Sequence, residues 1–248
     1  VIIYGRNAVA EALRGRRADS VSGVWASAGA ARERWLIAAQ ARGVQVRIVS
    51  AQEIERRCGS SAHQGVCAQA GDFPYASADQ LLAASEPLLV ALDQVQDPQN
   101  LGSICRTAEC SGATGVVIPQ RRAADVTAAV CKASAGAVEH VAVAQVRNVA
   151  DFLADARRAG CWCYGASADT TAQRAPVPYD APDYAGAGVV LVLGSEGSGL
   201  RPRVAKACDE LIALPLLGRV GSLGVSAAAA AILYEILQRR EADLDNAP

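Results

Sequence analysis

The chain has 248 residues, of which 51% are hydrophobic and 20% charged. That balance excludes a disordered or collagen-like chain and leaves room for one large domain, or a small domain followed by a medium one. The formal net charge is −1, so no global basic field marks a nucleic-acid binder, and no apolar run of about eighteen residues predicts a membrane span.

Charge is unevenly placed. Residues 1–70 hold ten arginines against five acids, whereas residues 71–248 hold fourteen basic and twenty acidic side chains. The only lysines are Lys132 and Lys206. Arginine suits bidentate phosphate contacts, although a GC-rich gene produces the same bias. The eight cysteines are an even number, which invites a disulfide framework. The chain length, the lack of a visible signal peptide and the apolar settings of the cysteines favour buried thiols and a cytoplasmic location. Cys161 and Cys163 flank Trp162 on one strand face. No second pair has zinc-site spacing, and only His63 and His140 add imidazoles, so no metal is expected.

In chain order, Gly5 to Leu13 reads as a turn into an amphipathic helix, and Val21–Trp25 as a strand. Residues 30–42 follow as a helix ended by Gly43, then strand Val44–Val49, helix Ala51–Arg57 and strand Val66–Ala70. This predicts a small α/β unit over 1–70. Residues 71–87 read as a linker, broken by Gly71, Pro74 and Pro87, with a short helix at Ala78–Ala84. Residues 88–248 alternate more cleanly. Leu88–Leu92 is a continuous apolar run, as in buried parallel strands. A helix over Leu101–Cys110, strand Gly115–Ile118, helix 123–135, strand Val141–Val143 and helix 148–159 come next. Strands Cys161–Gly165, Val189–Leu193 and Leu211–Leu214 precede a long helix over Val225–Arg240, with a frayed tail after it.

Open parallel sheets place their sites beyond the carboxyl ends of the strands. After the first strand comes DQVQDPQNLGSICRTAECSG, residues 93–112, in which Asn100 is a candidate helix N-cap and Arg106 sits among small and apolar residues. After Val189–Leu193 comes GSEGSGL, residues 194–200, with three glycines around Glu196. It lacks the dinucleotide-binding fingerprint, which argues against a dehydrogenase. After Leu211–Leu214 comes PLLGRVGSLGVS, residues 215–226, where glycines precede an alanine-rich helix.

These three segments, in this order and spacing, resemble the SpoU (TrmH-like) RNA ribose 2'-O-methyltransferases. IYGRNAVAEAL, residues 3–13, and AHQGVCA, residues 62–68, resemble the RlmB branch, which methylates guanosine ribose in 23S ribosomal RNA. The resemblance covers about residues 2–240. It implies an L30e-like RNA-binding domain, a linker and an α/β SPOUT methyltransferase domain with a C-terminal trefoil knot. It also implies a homodimer built through the knot region, and S-adenosylmethionine as methyl donor without a metal.

The resemblance further assigns residues. The catalytic polar set falls on Asn100, Arg106, Glu196 and Ser222. The cofactor set falls on Gly165, Ala166 and Ser167, then Gly194, Glu196 and Gly197, then Leu214, Leu216, Leu217, Ser222 and Leu223. In this scheme Asn100 caps its helix and orients Arg106. One position departs from the pattern: the family reads SLNVS where this chain reads SLGVS, with Gly224 in place of asparagine. The arginine excess makes Arg6, Arg14, Arg16 and Arg17 candidate phosphate contacts. Alternatives are the same chemistry on tRNA, or an RNA-binding assembly factor whose catalysis is weakened by Gly224. The presence of residues 1–70 favours rRNA over tRNA.

Overall fold

The computed structural model describes residues 1–168 and 174–246. The chain forms two compact units, one of Val1–Pro74 with Asp125–His140, the other of Tyr75–Ala124 with Val141–Pro248. Residues 125–140 lie inside the second segment of the sequence, yet pack with the first unit. The chain therefore passes between the units three times, at 74/75, 124/125 and 140/141, rather than through one linker.

In the first unit, β1 (Ile2–Tyr4), β2 (Gly23–Ala26), β3 (Val46–Ile48) and β4 (Val66–Gln69) form a sheet in the order β1-β4-β2-β3. β4 runs antiparallel to β1 and β2, and β3 is parallel to β2. Helices α1 (Arg6–Ala12), α2 (Arg34–Ala41) and α3 (Ala51–Cys58) accompany it. The expected helix 30–42 is divided, because Glu33 is extended (φ −66°, ψ 132°) between a 3-10 turn and α2. β1, which is too short to show an alternation, was not expected from the sequence.

The second unit opens with α4 (Ala78–Leu82). Its strands are β5 (Leu88–Asp93), β6 (Gly115–Pro119), β7 (Ala142–Val146), β8 (Cys161–Ala166), β9 (Val177–Pro178), β10 (Gly188–Gly194) and β11 (Glu210–Ala213). They lie in the order β7-β6-β5-β10-β8-β11-β9, and every pairing is parallel. β5, β6 and almost all of β10 are buried, which accounts for their unbroken apolar runs. Helices α5 (Pro98–Cys110), α7 (Val149–Arg158), α8 (Pro202–Ala207) and α9 (Val225–Asn246) belong to this unit. α5 packs on α9, and α7 on α8. The chain builds outward from β5 through β6 and β7. It then places β8 on the other side and inserts β10 between β5 and β8, so the carboxyl ends of β5, β10, β8 and β11 neighbour one another.

Three expectations need correction. The helix expected over 123–135 is only α6 (Ala128–Ala133), because the Ala124 N–H is drawn to the Val95 carbonyl at 3.0 Å. Of the tail expected to fray, residues 241–246 continue α9 to Asn246, and residues 247–248 lie outside the described residues. Asn100 is not an N-cap. Asp97 takes that place, its carboxylate accepting from the Gln99 N–H, with Pro98 as the first helical residue.

No disulfide joins the eight cysteines among the described residues, and six of them are buried. Burial raises the Cys67 and Cys131 thiols to about 11 and Cys208 to about 12, so these groups stay protonated and inert. No helix of the described residues is long and apolar enough to cross a membrane.

Candidate active site

The carboxyl end of β10 runs into the tight loop Ser195–Leu200. Ser195 and Gly199 exchange backbone hydrogen bonds of 3.0 and 3.1 Å, closing the loop on itself. Gly197 and Gly199 have φ of +84° and +63°. Gly194 meets a different demand: a methyl group there would lie 2.1 Å from the Gly199 carbonyl carbon. The glycine density thus reflects both left-handed backbone and close approach of two chain segments.

Glu196 projects from this loop, and its Oε1 accepts from the Asn100 Nδ2 at 3.0 Å. Asn100 is the third residue of α5, so one amide joins the first and second motif segments. Its partner is Glu196 and not Arg106. Arg106 lies two turns along α5, is exposed, and makes no hydrogen bond or ion pair with another described residue. The third segment, 214–224, runs from β11 to α9 without regular structure. Within it the Ser222 Oγ accepts from the Gly224 N–H at 3.1 Å.

These loops surround a cavity of about 890 Å³. Ala166 and Ser167 line it from the end of β8, and Gly194, Glu196 and Gly197 from the β10 loop. Leu214, Leu216, Ser222 and Leu223 line it from the third segment. Two expected cofactor residues do not. Gly165 is buried in β8, where a methyl group would lie 2.8 Å from both Leu200 Cδ1 and Leu211 Cδ2, so this glycine serves packing. Leu217 is 99% exposed and is not part of the lining. The cavity also takes in Arg174 and Lys206, which the sequence reading did not single out. Arg174 donates from Nη1 to the Cys208 carbonyl at 3.1 Å and from Nη2 to that of Asp209, so it braces β11. No sequence signal separated either cation from the surface charges around it.

Gly224 borders the same cavity at φ +82°. A Cβ there would meet only the Glu196 Oε1, at 3.7 Å. The position therefore demands a left-handed residue but has free space in front of it. Asparagine tolerates that conformation better than other side chains.

The four candidate phosphate contacts all belong to the first unit and differ from one another. Arg6 is exposed, pairs with Glu33 at 2.8 Å, and donates from Nε to the Gln64 carbonyl. The Gln64 Oε1 accepts from the Arg6 N–H at 3.1 Å, so the IYGRN and AHQG motifs are locked together. Arg14 pairs with Glu11 one turn away, and Arg16 donates to the His140 carbonyl. Arg17 is a correction. Its side chain is 2% exposed and ion-paired with the fully buried Glu139. It also donates to Cys131 Sγ and the Gly71 carbonyl and lies over the Phe73 ring. So enclosed, the guanidinium spends four of its five N–H donors inside the fold and presents no surface to RNA.

Residues 87–234 match the model of the SpoU rRNA methylase family. The chain belongs to that family. Residues 2–76 match a second model, described as RNA 2'-O ribose methyltransferase substrate binding. A Bacillus subtilis protein, provisionally named the TrmH family tRNA/rRNA methyltransferase YacO, is 36% identical over 96% of this chain and 95% of its own. An AdoMet-bound rRNA methyltransferase from Sinorhizobium meliloti superposes with a TM-score of 0.78 at 27% identity, over 96% of this chain and 86% of its own. The SpoU methyltransferase AviRb from Streptomyces viridochromogenes, in complex with AdoMet, reaches the same TM-score at 23% identity, over 96% and 89% of the two chains. That likeness speaks for the SPOUT α/β fold alone.

Proposed function

We propose that this SpoU-family enzyme transfers a methyl group from S-adenosylmethionine to a ribose 2'-hydroxyl, that of a guanosine in 23S ribosomal RNA. The observation that carries this reading is the convergence of the β8, β10 and β11 loops on one cavity, with Glu196 held to Asn100 at its rim. The residues present fit the donor. The leucines at 214, 216 and 223 offer apolar surface to an adenine, and Glu196 offers a carboxylate to a cationic group.

S-adenosylmethionine supplies a methyl group on sulfur that is already a good leaving group. The protein's part is alignment and charge. Asn100 fixes Glu196, and the closed glycine loop fixes the chain on either side of it. Arg106, which makes no hydrogen bond or ion pair with another described residue, holds the substrate's phosphate and hydroxyl and stabilises the alkoxide charge as the proton leaves. Guanidinium stays protonated, so a stabilising role suits it better than that of a base. The third segment carries Leu217, Val220 and Leu223 at 99%, 76% and 54% exposure. Exposed leucines beside a ligand cavity support a homodimer through this knot-forming segment.

The non-catalytic reading rests on Gly224. The geometry weighs against it, since glycine suits φ +82° without strain and the Asn100–Glu196 bond stands intact. Gly224→Asn is expected to fold at a cost of about 1 kcal/mol or less for the left-handed side chain. It should tighten donor binding and leave the single-turnover rate nearly unchanged. Calorimetry and transfer assays on the same protein check this; an inactive wild type rescued by the substitution would restore the assembly-factor reading.

RNA affinity should fall with salt as counterions are released. Replacing Arg6, Arg14 and Arg16 together by alanine is expected to lower the slope of log affinity against log salt by about 2, at roughly 0.7 per single-stranded phosphate contact. An unchanged slope would make them ordinary surface. The function itself is tested by mapping ribose methylation in a strain lacking the gene. One 2'-O-methylguanosine in 23S rRNA should vanish and return with the wild-type gene. An unchanged rRNA with a lost tRNA site would move the substrate to tRNA.

A further inference from the structure

We propose that Asp93 and Arg201 form a latch that sets the position of Glu196, which makes both of them positioning residues for methyl transfer. The proposal rests on the reading of the cavity as the methyl-donor site.

Asp93 is the last residue of β5 and is fully buried. A carboxylate in that setting is costly unless it is paired and its lone pairs are used. Both its oxygens go to one residue. Oδ2 accepts from the Arg201 backbone N–H at 2.9 Å, and Oδ1 accepts from Nε at 2.7 Å and Nη2 at 2.6 Å. Main chain and side chain of Arg201 are thus fixed at once to the end of β5. Arg201 stands immediately after the glycine loop as the N-cap of α8.

The other end of the loop is held at the same level of the sheet, because Gly194 is the ladder partner of Asp93. Entry and exit of the loop are therefore both tied to the β5–β10 pair, and Glu196 lies between them. The segment leaving Asp93 leads directly into α5, where Asn100 meets Glu196. Asp93 thus clamps the exit of the loop that carries Glu196 and begins the segment that carries Asn100. The glycines inside the loop give it freedom that the ladder alone does not remove, so the exit clamp decides where Glu196 sits.

The test separates positioning from general stability. Arg201→Lys keeps a cation but loses the planar fork, and Asp93→Asn keeps an acceptor but loses the charge. The double change Asp93→Asn with Arg201→Gln removes both charges and keeps the shape. Each variant is melted, titrated with S-adenosylmethionine by calorimetry, and assayed for single-turnover transfer to RNA, with and without Glu196→Gln. A folded variant should bind one donor per subunit, slow transfer about tenfold, and add no further slowing in the Glu196→Gln background. A wild-type rate per bound donor overturns the latch, as does the same slowing in both backgrounds. If none of the variants folds, the pair is structural and the proposal falls. Failure of the wild type to bind the donor is a different result: it removes the parent reading of the cavity, and the latch with it.

Discussion

Arg106→Ala should reduce methyl transfer by about 100- to 1,000-fold, the loss found when one preorganised donor to developing negative charge is removed. The melting temperature and donor affinity should stay close to wild type. The structure gives the reason for that separation. Arg106 is exposed on α5, has no hydrogen bond or ion pair with another described residue, and does not line the cavity. Nothing in the fold depends on it, so its removal strands no buried partner. Arg106→Lys should recover little, because a point charge cannot address phosphate and hydroxyl together through a planar fork. Parallel measurement of single-turnover rate, donor affinity and thermal melting checks all three statements. Near-normal turnover in either variant would pass the role to another group.

The largest stability effect is expected at Arg17 and Glu139. Their side chains are 2% and 0% exposed and joined through both guanidinium Nε and Nη2. Removing one partner leaves an uncompensated buried charge, at a cost of about 3–5 kcal/mol. Glu139→Ala and Arg17→Ala should therefore lower the unfolding transition of the first unit by roughly 20 °C, at about 4–8 °C per kcal/mol for a unit of this size. Replacing both together by leucine and methionine should recover most of the loss, since an apolar pair of similar volume carries no desolvation penalty. Scanning calorimetry of the singles and the double checks this. Single changes that leave the transition in place would mean that the 125–140 segment is held by its apolar contacts alone.

The fold and the site were legible in the sequence to different depths. The parallel sheet was plain, because β5, β6 and β10 are buried on both faces and so read as unbroken apolar runs. The glycine loop was visible for a physical reason too: Gly194, Gly197 and Gly199 each answer a steric or φ demand that another residue would meet only with strain. What stayed hidden depends on contacts between distant residues. Arg14, Arg16 and Arg17 look alike in sequence, and only tertiary structure separates the buried partner of Glu139 from its two exposed neighbours. The membership of residues 125–140 in the first unit is hidden for the same cause, since a crossover segment carries no local mark of the unit it packs with. Asn100 and Asp97 are both good caps; Pro98, which suits a first helical turn, was the local signal for Asp97. Asp93 carries no local signal either, because an acid at a strand end is common and its burial cannot be seen from its neighbours.

The atom that receives the methyl group decides between the readings. The direct measurement is to incubate the purified protein with S-adenosylmethionine carrying a labelled methyl and with unmodified 23S rRNA, then digest the RNA to nucleosides and identify the labelled one. Label is expected in 2'-O-methylguanosine, close to one per RNA, and it should appear at least about 100-fold more slowly when Arg106→Ala replaces the wild type. Label on a base, or none in RNA although the donor binds, would contradict the proposed function.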